Sequence, residues 1–193
     1  DGLGSAVCPS PPPPPPPSPP PLSLSVTTPT GISYHIYTSR MTWPAARDFC
    51  AQHHHRLGAV ETSTDQDAIN ILINRSYHEG ATDTLRGFYL GGTAFEHPAT
   101  AGPHDNSELS PTGGRIVTDM TNWKWYPDTD NLGNFAGQAY HNWNAREPNS
   151  GGNPTNPGKE NCLFIWAPPH RRWGKWNDWH CNNREGFVCE DHR

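Results

Sequence analysis

Acidic and amide side chains are concentrated in three short motifs in the last quarter of the chain. These motifs are Glu147-Pro148-Asn149, Glu160-Asn161-Cys162 and Trp176-Asn177-Asp178. Their carboxylates and amides are oxygen donors, the ligand type of which a hard cation such as Ca²⁺ takes about six to eight. Zinc prefers nitrogen or sulfur donors, and magnesium requires a stricter octahedron. The residue types therefore favour a calcium site.

The same carboxylates invite a catalytic interpretation, because a glycosidase also uses a pair of acidic side chains. A carboxylate that binds calcium, however, is not free to hold the raised pKa that a general acid needs. The sequence has no Ser, Cys or His nucleophile in a recognisable spacing. We therefore predict that the protein is not an enzyme.

A first helix is predicted over residues 42–53, upstream of these motifs. Thr42 can cap its N-terminus and Pro44 suits its first turn. The helix ends in His53-His54-His55, which suggests a metal site. Consecutive side chains on a helix point about 100° apart, so the three rings cannot converge on one ion. We interpret them as a solvated helix end.

A second helix is predicted over residues 63–74, with Ser63 or Thr64 as its N-cap. Asn74-Arg75-Ser76 is an acceptable N-glycosylation sequon. An end of the helix at Asn74 would expose this asparagine, which makes it the predicted glycosylation site.

Short apolar runs alternate with turn residues in the rest of the chain. They predict strands over residues 32–37, 88–92, 162–166, 173–177 and 186–190. Residues 96–160 are rich in Gly, Pro, Asn and Asp and are predicted to be largely loop, and a loop of that length usually carries function. The predicted fold class is α+β: two helices, short antiparallel strands and a long loop region, closed by two disulfides.

The composition divides the chain of 193 residues into two regions. Only 33% of the residues are hydrophobic, and eleven of the 22 prolines lie between Pro9 and Pro21. Contiguous prolines form a polyproline II rod, about 40 Å long over this stretch at about 3.1 Å per residue. We predict a proline-rich stalk over residues 1–30 and a folded domain over 31–193.

Charge and hydropathy exclude two classes of partner. The formal charge is -5, with no basic block longer than two residues, which argues against nucleic acid. No apolar run approaches the length of about 18 residues that a transmembrane helix needs. The chain begins with Asp1 instead of Met, which we interpret as a processed protein or a piece of a larger one.

The chain has five cysteines, and none forms a Cys-x-x-Cys motif, which argues against a zinc ribbon or a thioredoxin-like site. Four lie inside the predicted domain, which favours two disulfides and an oxidising compartment. Cys8 is left over beyond the proline run. Two interpretations stay open for it: a bond to another domain or chain, or a free thiol.

Several further motifs occur in a characteristic order along the domain. They are Thr42-Trp43 with Cys50, Phe88-Tyr89-Leu90-Gly91, Asn142-Trp143 before Glu147-Pro148-Asn149, Trp176-Asn177-Asp178, and Gly186-Phe187-Val188-Cys189-Glu190. With these motifs the chain resembles a C-type lectin domain from about residue 34 to residue 190. The proline segment resembles, by composition, the hydroxyproline-rich glycoproteins of plant and algal cell walls.

The resemblance implies one principal calcium ion and a set of ligands. The implied ligands, which would also bind the sugar, are Glu147, Asn149, Glu160, Asn177 and Asp178. In the family, two vicinal sugar hydroxyls complete the calcium shell; each donates to a carboxylate and accepts from an amide N–H. Trp179, which follows the ligand Asp178, is expected to reach the bound sugar. A second ion near Asp128 and Asp130 is not expected.

The resemblance also implies covalent and backbone features of the domain. The cysteine pairs would be Cys50–Cys189 and Cys162–Cys181, and Pro148 would follow a cis peptide bond that turns its two neighbours toward the ion. Similar lectins with Glu-Pro-Asn favour mannose-type sugars with equatorial 3- and 4-hydroxyls, whereas those with Gln-Pro-Asp favour galactose. The sequence departs from the well-known members by an insertion over residues 93–115 and a long loop over 150–159.

The remaining tryptophans are assigned to packing. We expect Trp123, Trp125 and Trp143 to anchor the long loop on the core, and Trp166, Trp173 and Trp176 to line the core itself.

We therefore predict an extracellular domain that binds mannose-type glycans through calcium, with matrix or cell-surface glycoproteins as partners. A structural alternative stays open, in which the same fold docks onto a protein or matrix partner and calcium only orders the loop.

Overall fold

The structure, a computed structural model, describes residues 24–80, 85–94, 123–126, 139–149 and 160–191. Two helices and eight strands follow one another in these residues. In chain order they are β1 (Leu24–Thr27), β2 (Ser33–Met41), α1 (Trp43–His53), β3 (Arg56–Leu57), α2 (Ser63–His78), β4 (Gly87–Thr93), β5 (Lys124–Trp125), β6 (Glu160–Trp166), β7 (Trp176–His180) and β8 (Glu185–Glu190).

Both predicted helices form, and their N-termini are capped by threonine. The Thr42 side chain accepts a hydrogen bond from the Ala45 N–H at the start of α1. The cap of α2 is Thr62, one residue before the predicted cap, and it forms a capping box with Asp65. Helix α2 also continues to His78. The predicted end at Asn74 was wrong, because buried Ile73 and Ser76 extend the inner face of the helix beyond it.

The strands form one mixed sheet in the order β1-β2-β8-β4-β6-β7, with β3 paired to β8 and β5 paired to β4. All pairs are antiparallel except β4 with β8, which are parallel. The predicted antiparallel strands therefore form, and the pair at the centre of the sheet is parallel. Gly186 lies at this central pair, where a Cβ would stand 2.5 Å from the Phe88 ring.

The sheet begins at strand β1, before the predicted start of the folded domain. It pairs with β2 from Leu24↔Ile36 to Thr27↔Ser33, and Leu24 and Val26 pack against the core. The predicted boundary between residues 30 and 31 therefore falls in the connection between two paired strands, β1 and β2. The proline run and Cys8 lie outside the described residues, as do Asp128, Asp130 and the loop over 150–159.

Two apolar clusters lie on the two sides of the sheet. One contains the inner face of α2 together with Trp123, Trp125 and Trp176, each 0–1% exposed. The other contains Trp43 of α1 and residues such as Phe187. The anchoring expectation for Trp123 and Trp125 is confirmed. Trp173, expected in the core, is 43% exposed because it precedes β7 in a turn.

Two disulfides fix the sheet to its neighbours, with the pairing that the family resemblance implied. Cys50–Cys189 joins α1 to β8, and Cys162–Cys181 joins β6 to the end of β7. Both bonds lie in the cluster that contains Trp43. Among the described residues, no helix combines the length and the apolar character that crossing a bilayer requires.

Candidate functional site

The segment 142–149 docks on the beginning of β7. Asn144 N–H donates to the Trp176 carbonyl, and Trp176 N–H donates to the Asn142 carbonyl, each at 2.9 Å. Between these bonds the Trp143 ring packs edge-on against Trp176, with centroids 5.8 Å apart. This pairing places the Glu147 motif beside the next two residues of β7, Asn177 and Asp178.

Three of the five predicted ligands are directly connected. The Asn149 N–H donates to Asp178 Oδ2 at 2.9 Å, and the carboxyl groups of Glu147 and Asp178 are close enough to share a hydrogen bond. Pro148 between the two motif residues is buried, and its peptide bond to Glu147 is cis, as the resemblance implied. A cation bound here would meet two carboxylates at once.

The pKa of Glu147 is changed by its burial and by the charged groups around it. Burial, and after it the carboxylate of Asp178, raise the pKa of Glu147 from 4.5 to about 7. The guanidinium of Arg172, whose Nη1 lies 3.6 Å from Glu147 Oε1, and the Asn144 side chain oppose the rise in pKa. The positive charge of Arg172 does not offset burial and Asp178, so the pKa of Glu147 stays above its ordinary value.

The other two predicted ligands lie on the same hairpin of β6 and β7. Asn177 is 5% exposed, and its side-chain N–H donates to the backbone carbonyl of Asp178. Glu160 begins β6 opposite His180, whose Nε2 lies 3.5 Å from Glu160 Oε1. Both residues are thus buried or nearly so, Asn177 on the strand that carries Asp178 and Glu160 on the strand paired with it.

Trp179 is not brought to this site. Its ring stacks on Phe164 at 5.2 Å and meets Trp166 edge-on at 5.4 Å, and the Arg86 guanidinium lies 5.6 Å from it. The predicted contact of Trp179 with a sugar therefore has no support in the placement of its side chain.

Two features of the site were not predicted. Arg146, immediately before Glu147, has φ of 72°, a left-handed conformation that is unfavourable for any residue except glycine. Arg172 reaches the site from the turn before β7. Neither residue is in one of the motifs, and only the folded position of the two segments brings Arg172 near Glu147.

The predicted glycosylation residue, Asn74, is exposed on α2, but it lies inside the helix instead of at its end. The solvated helix end expected for the three histidines is wrong for His54. The side chain of His54 is 11% exposed and contacts Asp191.

The chemistry of the site fits calcium. Glu147 Oε2 is buried and has no hydrogen-bond partner among the described residues. The predicted ligands near this oxygen are carboxylates and amides, and calcium binds oxygen donors of this kind. A divalent cation would balance the two neighbouring carboxylate charges, which burial makes unfavourable.

No family model matches the chain. Among curated proteins, mouse L-selectin is 25% identical over 157 residues, which are 81% of this chain and 31% of that protein. A C-type lectin of Cerberus rynchops is 32% identical over 78 residues, 40% of each chain. The chain thus spans well under two thirds of the length of these relatives.

Solved structures share the fold. The carbohydrate-recognition domain of the human scavenger receptor C-type lectin superposes with a TM-score of 0.53 at 21% identity and covers 84% of this chain and 92% of that one. Human lithostathine gives 0.53 at 19% identity, covering the same shares. The protein is therefore a disulfide-closed domain of the C-type lectin fold. Its curated relatives are binding proteins, not enzymes, in agreement with the expectation from the sequence.

Proposed function

We propose that the protein binds carbohydrate in a calcium-dependent manner through the face formed by Glu147, Asn149 and Asp178. The observation that carries this proposal is the buried pair of carboxyl groups, Glu147 and Asp178, which the Asn149 backbone joins. Two acidic groups at one buried position are unfavourable without a counter-ion. A calcium ion supplies that charge.

The residues around the ion have separate roles. Glu147, Asn149 and Asp178 would hold calcium, together with Asn177 of the same strand as Asp178 and Glu160 of the neighbouring strand β6. Calcium, when bound, accepts lone pairs from two neighbouring sugar hydroxyls. The carboxylates accept hydrogen bonds from the hydroxyls, while the amide N–H groups of the asparagines donate hydrogen bonds to the hydroxyl oxygens. Each hydroxyl is thereby read as donor and acceptor.

Carbohydrate as the ligand class is supported by the relatives, which include proteins named as C-type lectins. The finer proposal is a mannose-type sugar, because Glu147-Pro148-Asn149 matches the motif of mannose-binding members. The disulfides and the secreted or cell-surface relatives support an extracellular location.

Retention of the full chain on mannose-agarose tests the proposal. We expect retention in calcium and release by a chelator or by free mannose. Retention that a chelator leaves unchanged, or no retention on any sugar matrix, would contradict it. Retention on an immobilised matrix protein but on no sugar would instead favour the structural alternative.

A double substitution in the Glu147-Pro148-Asn149 motif tests how the site recognises the sugar hydroxyls. Glu147→Gln combined with Asn149→Asp should shift the preference from mannose to galactose, because the exchange reverses donor and acceptor positions around the ion. The matched control is Glu79→Gln with Asn182→Asp, the same chemical changes at exposed positions. An unchanged preference in the motif variant, with calcium still bound, would refute hydroxyl readout by this pair.

A further inference from the structure

A second cluster of ligating side chains lies on the other half of the sheet. His35 of β2, His54 after α1 and Asp191 after β8 each offer one ligand atom, and these atoms lie within 4.8 Å of one another. His35 Nε2 is 2.7 Å from Asp191 Oδ2, and His54 Nδ1 is 2.8 Å from Asp191 Oδ1. We call these three residues the histidine–aspartate cluster.

The backbone holds the three positions firmly. His35 pairs with Cys189 in the β2–β8 ladder, and the Cys50–Cys189 disulfide ties α1 to the same strand. His54 N–H donates to the Cys50 carbonyl at 2.8 Å, and Asp191 N–H donates to the Ser33 carbonyl at 2.9 Å. The cluster is therefore preorganised by the fold, and an ion would not have to assemble it.

The cluster is open on one side. The side chains of His35 and His54 are 13% and 11% exposed, whereas Asp191 is 47% exposed. The two rings stack with centroids 4.3 Å apart, and each presents one nitrogen to an oxygen of the Asp191 carboxylate. His35 Nδ1 is buried and has no hydrogen-bond partner among the described residues. An ion can reach the ring nitrogens through the side that Asp191 occupies.

We propose that the histidine–aspartate cluster is a zinc site, with His35 Nε2, His54 Nδ1 and a carboxylate oxygen of Asp191 as ligands and water in the fourth position. Two imidazoles with a carboxylate suit zinc, whereas calcium prefers oxygen donors alone. Tetrahedral zinc with bonds of about 2.0–2.1 Å separates its ligands by about 3.3 Å. The half-exposed Asp191 can move outward by the required half ångström or so.

Tyr37 provides the outer contact that a zinc-bound histidine needs. Its hydroxyl lies 2.6 Å from His54 Nε2. When Nδ1 binds the metal, Nε2 carries the proton and donates it to the Tyr37 oxygen, which fixes the ring orientation. The site is distinct from the candidate calcium site, because β2 and β8 are separated from β7 by β4 and β6 in the sheet.

Zinc titration of the full chain by calorimetry, in saturating calcium, tests the proposal. We expect one zinc equivalent that is lost in both His35→Gln and His54→Asn. These amides keep an N–H near the position of the ligating nitrogen, so the hydrogen bond to Asp191 and the fold can survive. The matched control is His53→Gln, one residue before His54 and exposed, which should keep the equivalent.

Asp191→Asn provides a variant that alters no buried ring, and it should weaken zinc binding about tenfold or more. Cobalt in place of zinc gives a second readout, a tetrahedral absorption spectrum that disappears in the same variants. Zinc stoichiometry and cobalt spectra that are unchanged in all three variants would overturn the proposal. Glu147→Gln should leave the zinc equivalent intact, so failure of the calcium proposal would not remove this one.

Discussion

The carboxyl group of Glu147 is buried beside that of Asp178, so its ionised form is disfavoured until a cation balances both charges. A carboxyl pKa that folding raises from 4.5 to about 7 means that the folded state binds the proton more tightly than the unfolded state. The contribution of Glu147 to stability therefore falls as the pH rises through this range. Above pH 7 and without calcium, Glu147→Gln should increase the free energy of unfolding.

Calcium should reverse the sign of the change in the free energy of unfolding that Glu147→Gln causes. At a calcium concentration of 100 times its Kd, binding stabilises the wild-type protein by about 2.7 kcal/mol, and Glu147→Gln should lose most of this gain. Urea unfolding above pH 7, with calcium and with chelator, measures both effects. Glu79→Gln on the exposed end of α2 is the control and should change neither. The same sign in both conditions would contradict a calcium site at Glu147.

Arg146 is the second residue at which a substitution is predicted to change stability. Here the backbone conformation, and not the side chain, determines the expected change. Its φ of 72° costs a non-glycine residue about 1–2 kcal/mol, while glycine adds about 0.5–1 kcal/mol of unfolded-state entropy. Because the side chain is exposed, Arg146→Gly should stabilise the protein by roughly 0.5–1 kcal/mol. Thermal unfolding measures this. Arg171→Gly, at an exposed residue outside the left-handed region, should destabilise slightly, and equal effects of the two would refute the argument.

At the scale of elements, local signals predicted where helices begin better than where they end. Thr42 caps α1 through contacts within one turn, so the sequence alone indicates the start. The end of α2 depends on Ile73 and Ser76, which remain buried against the rest of the domain. Such burial is decided by tertiary packing, which a turn-like Asn74 in the sequence does not reveal.

The strands that were not predicted are stabilised by pairing with strands at other positions in the chain. β3 and β5 have only two residues each, too few for a periodic pattern, and they pair with β8 and β4. β1 follows the proline run and is defined by its pairing with β2. Residue pattern alone could not separate these segments from loop.

Strand β3 also carries the most buried ion pair between described elements. Arg56 Nε lies 2.8 Å from Glu190 Oε1 of β8, with side chains 1% and 0% exposed. Glu190 Oε2 also accepts from the Ala59 N–H at 2.7 Å. Arg56→Met leaves the Glu190 charge buried without its guanidinium, so it should cost about 3–5 kcal/mol in the free energy of unfolding.

The pair Arg47–Asp48 on α1 is the control for this prediction: its carboxylate is exposed, while the Arg47 side chain is 19% exposed and lies over the rings of Trp43 and Tyr126, which a methionine can still contact. Its Asp48 side chain is 56% exposed, and an exposed ion pair contributes about 0–1 kcal/mol. Arg47→Met should therefore have a small effect in the same urea titration. A loss at Arg56 no larger than the loss at Arg47 would show that the buried pair does not hold β3 to β8.

At the scale of the whole molecule, the two candidate metal sites differ in how far the sequence could reveal them. Glu147, Asn149 and Asp178 lie in motifs that could be recognised one by one, and the pairing of Trp143 with Trp176 then brings them together. His35 and Asp191 are 156 residues apart and belong to no motif. Their meeting follows from the register of β2 with β8, which residue types do not specify.

The two disulfides should also differ in their effect on the whole molecule. Cys50–Cys189 closes a loop with a sequence separation of 139, and Cys162–Cys181 one of 19. Because a cross-link removes more entropy from the unfolded chain when its loop is longer, replacing Cys50 and Cys189 by alanine should cost about 5 kcal/mol, against about 3 kcal/mol for Cys162 and Cys181. Urea unfolding of the two double variants, with the wild-type protein as reference, measures both losses. A larger loss for the shorter loop would mean that local packing around Cys162 and Cys181, not the entropy of the unfolded chain, decides what each bond contributes.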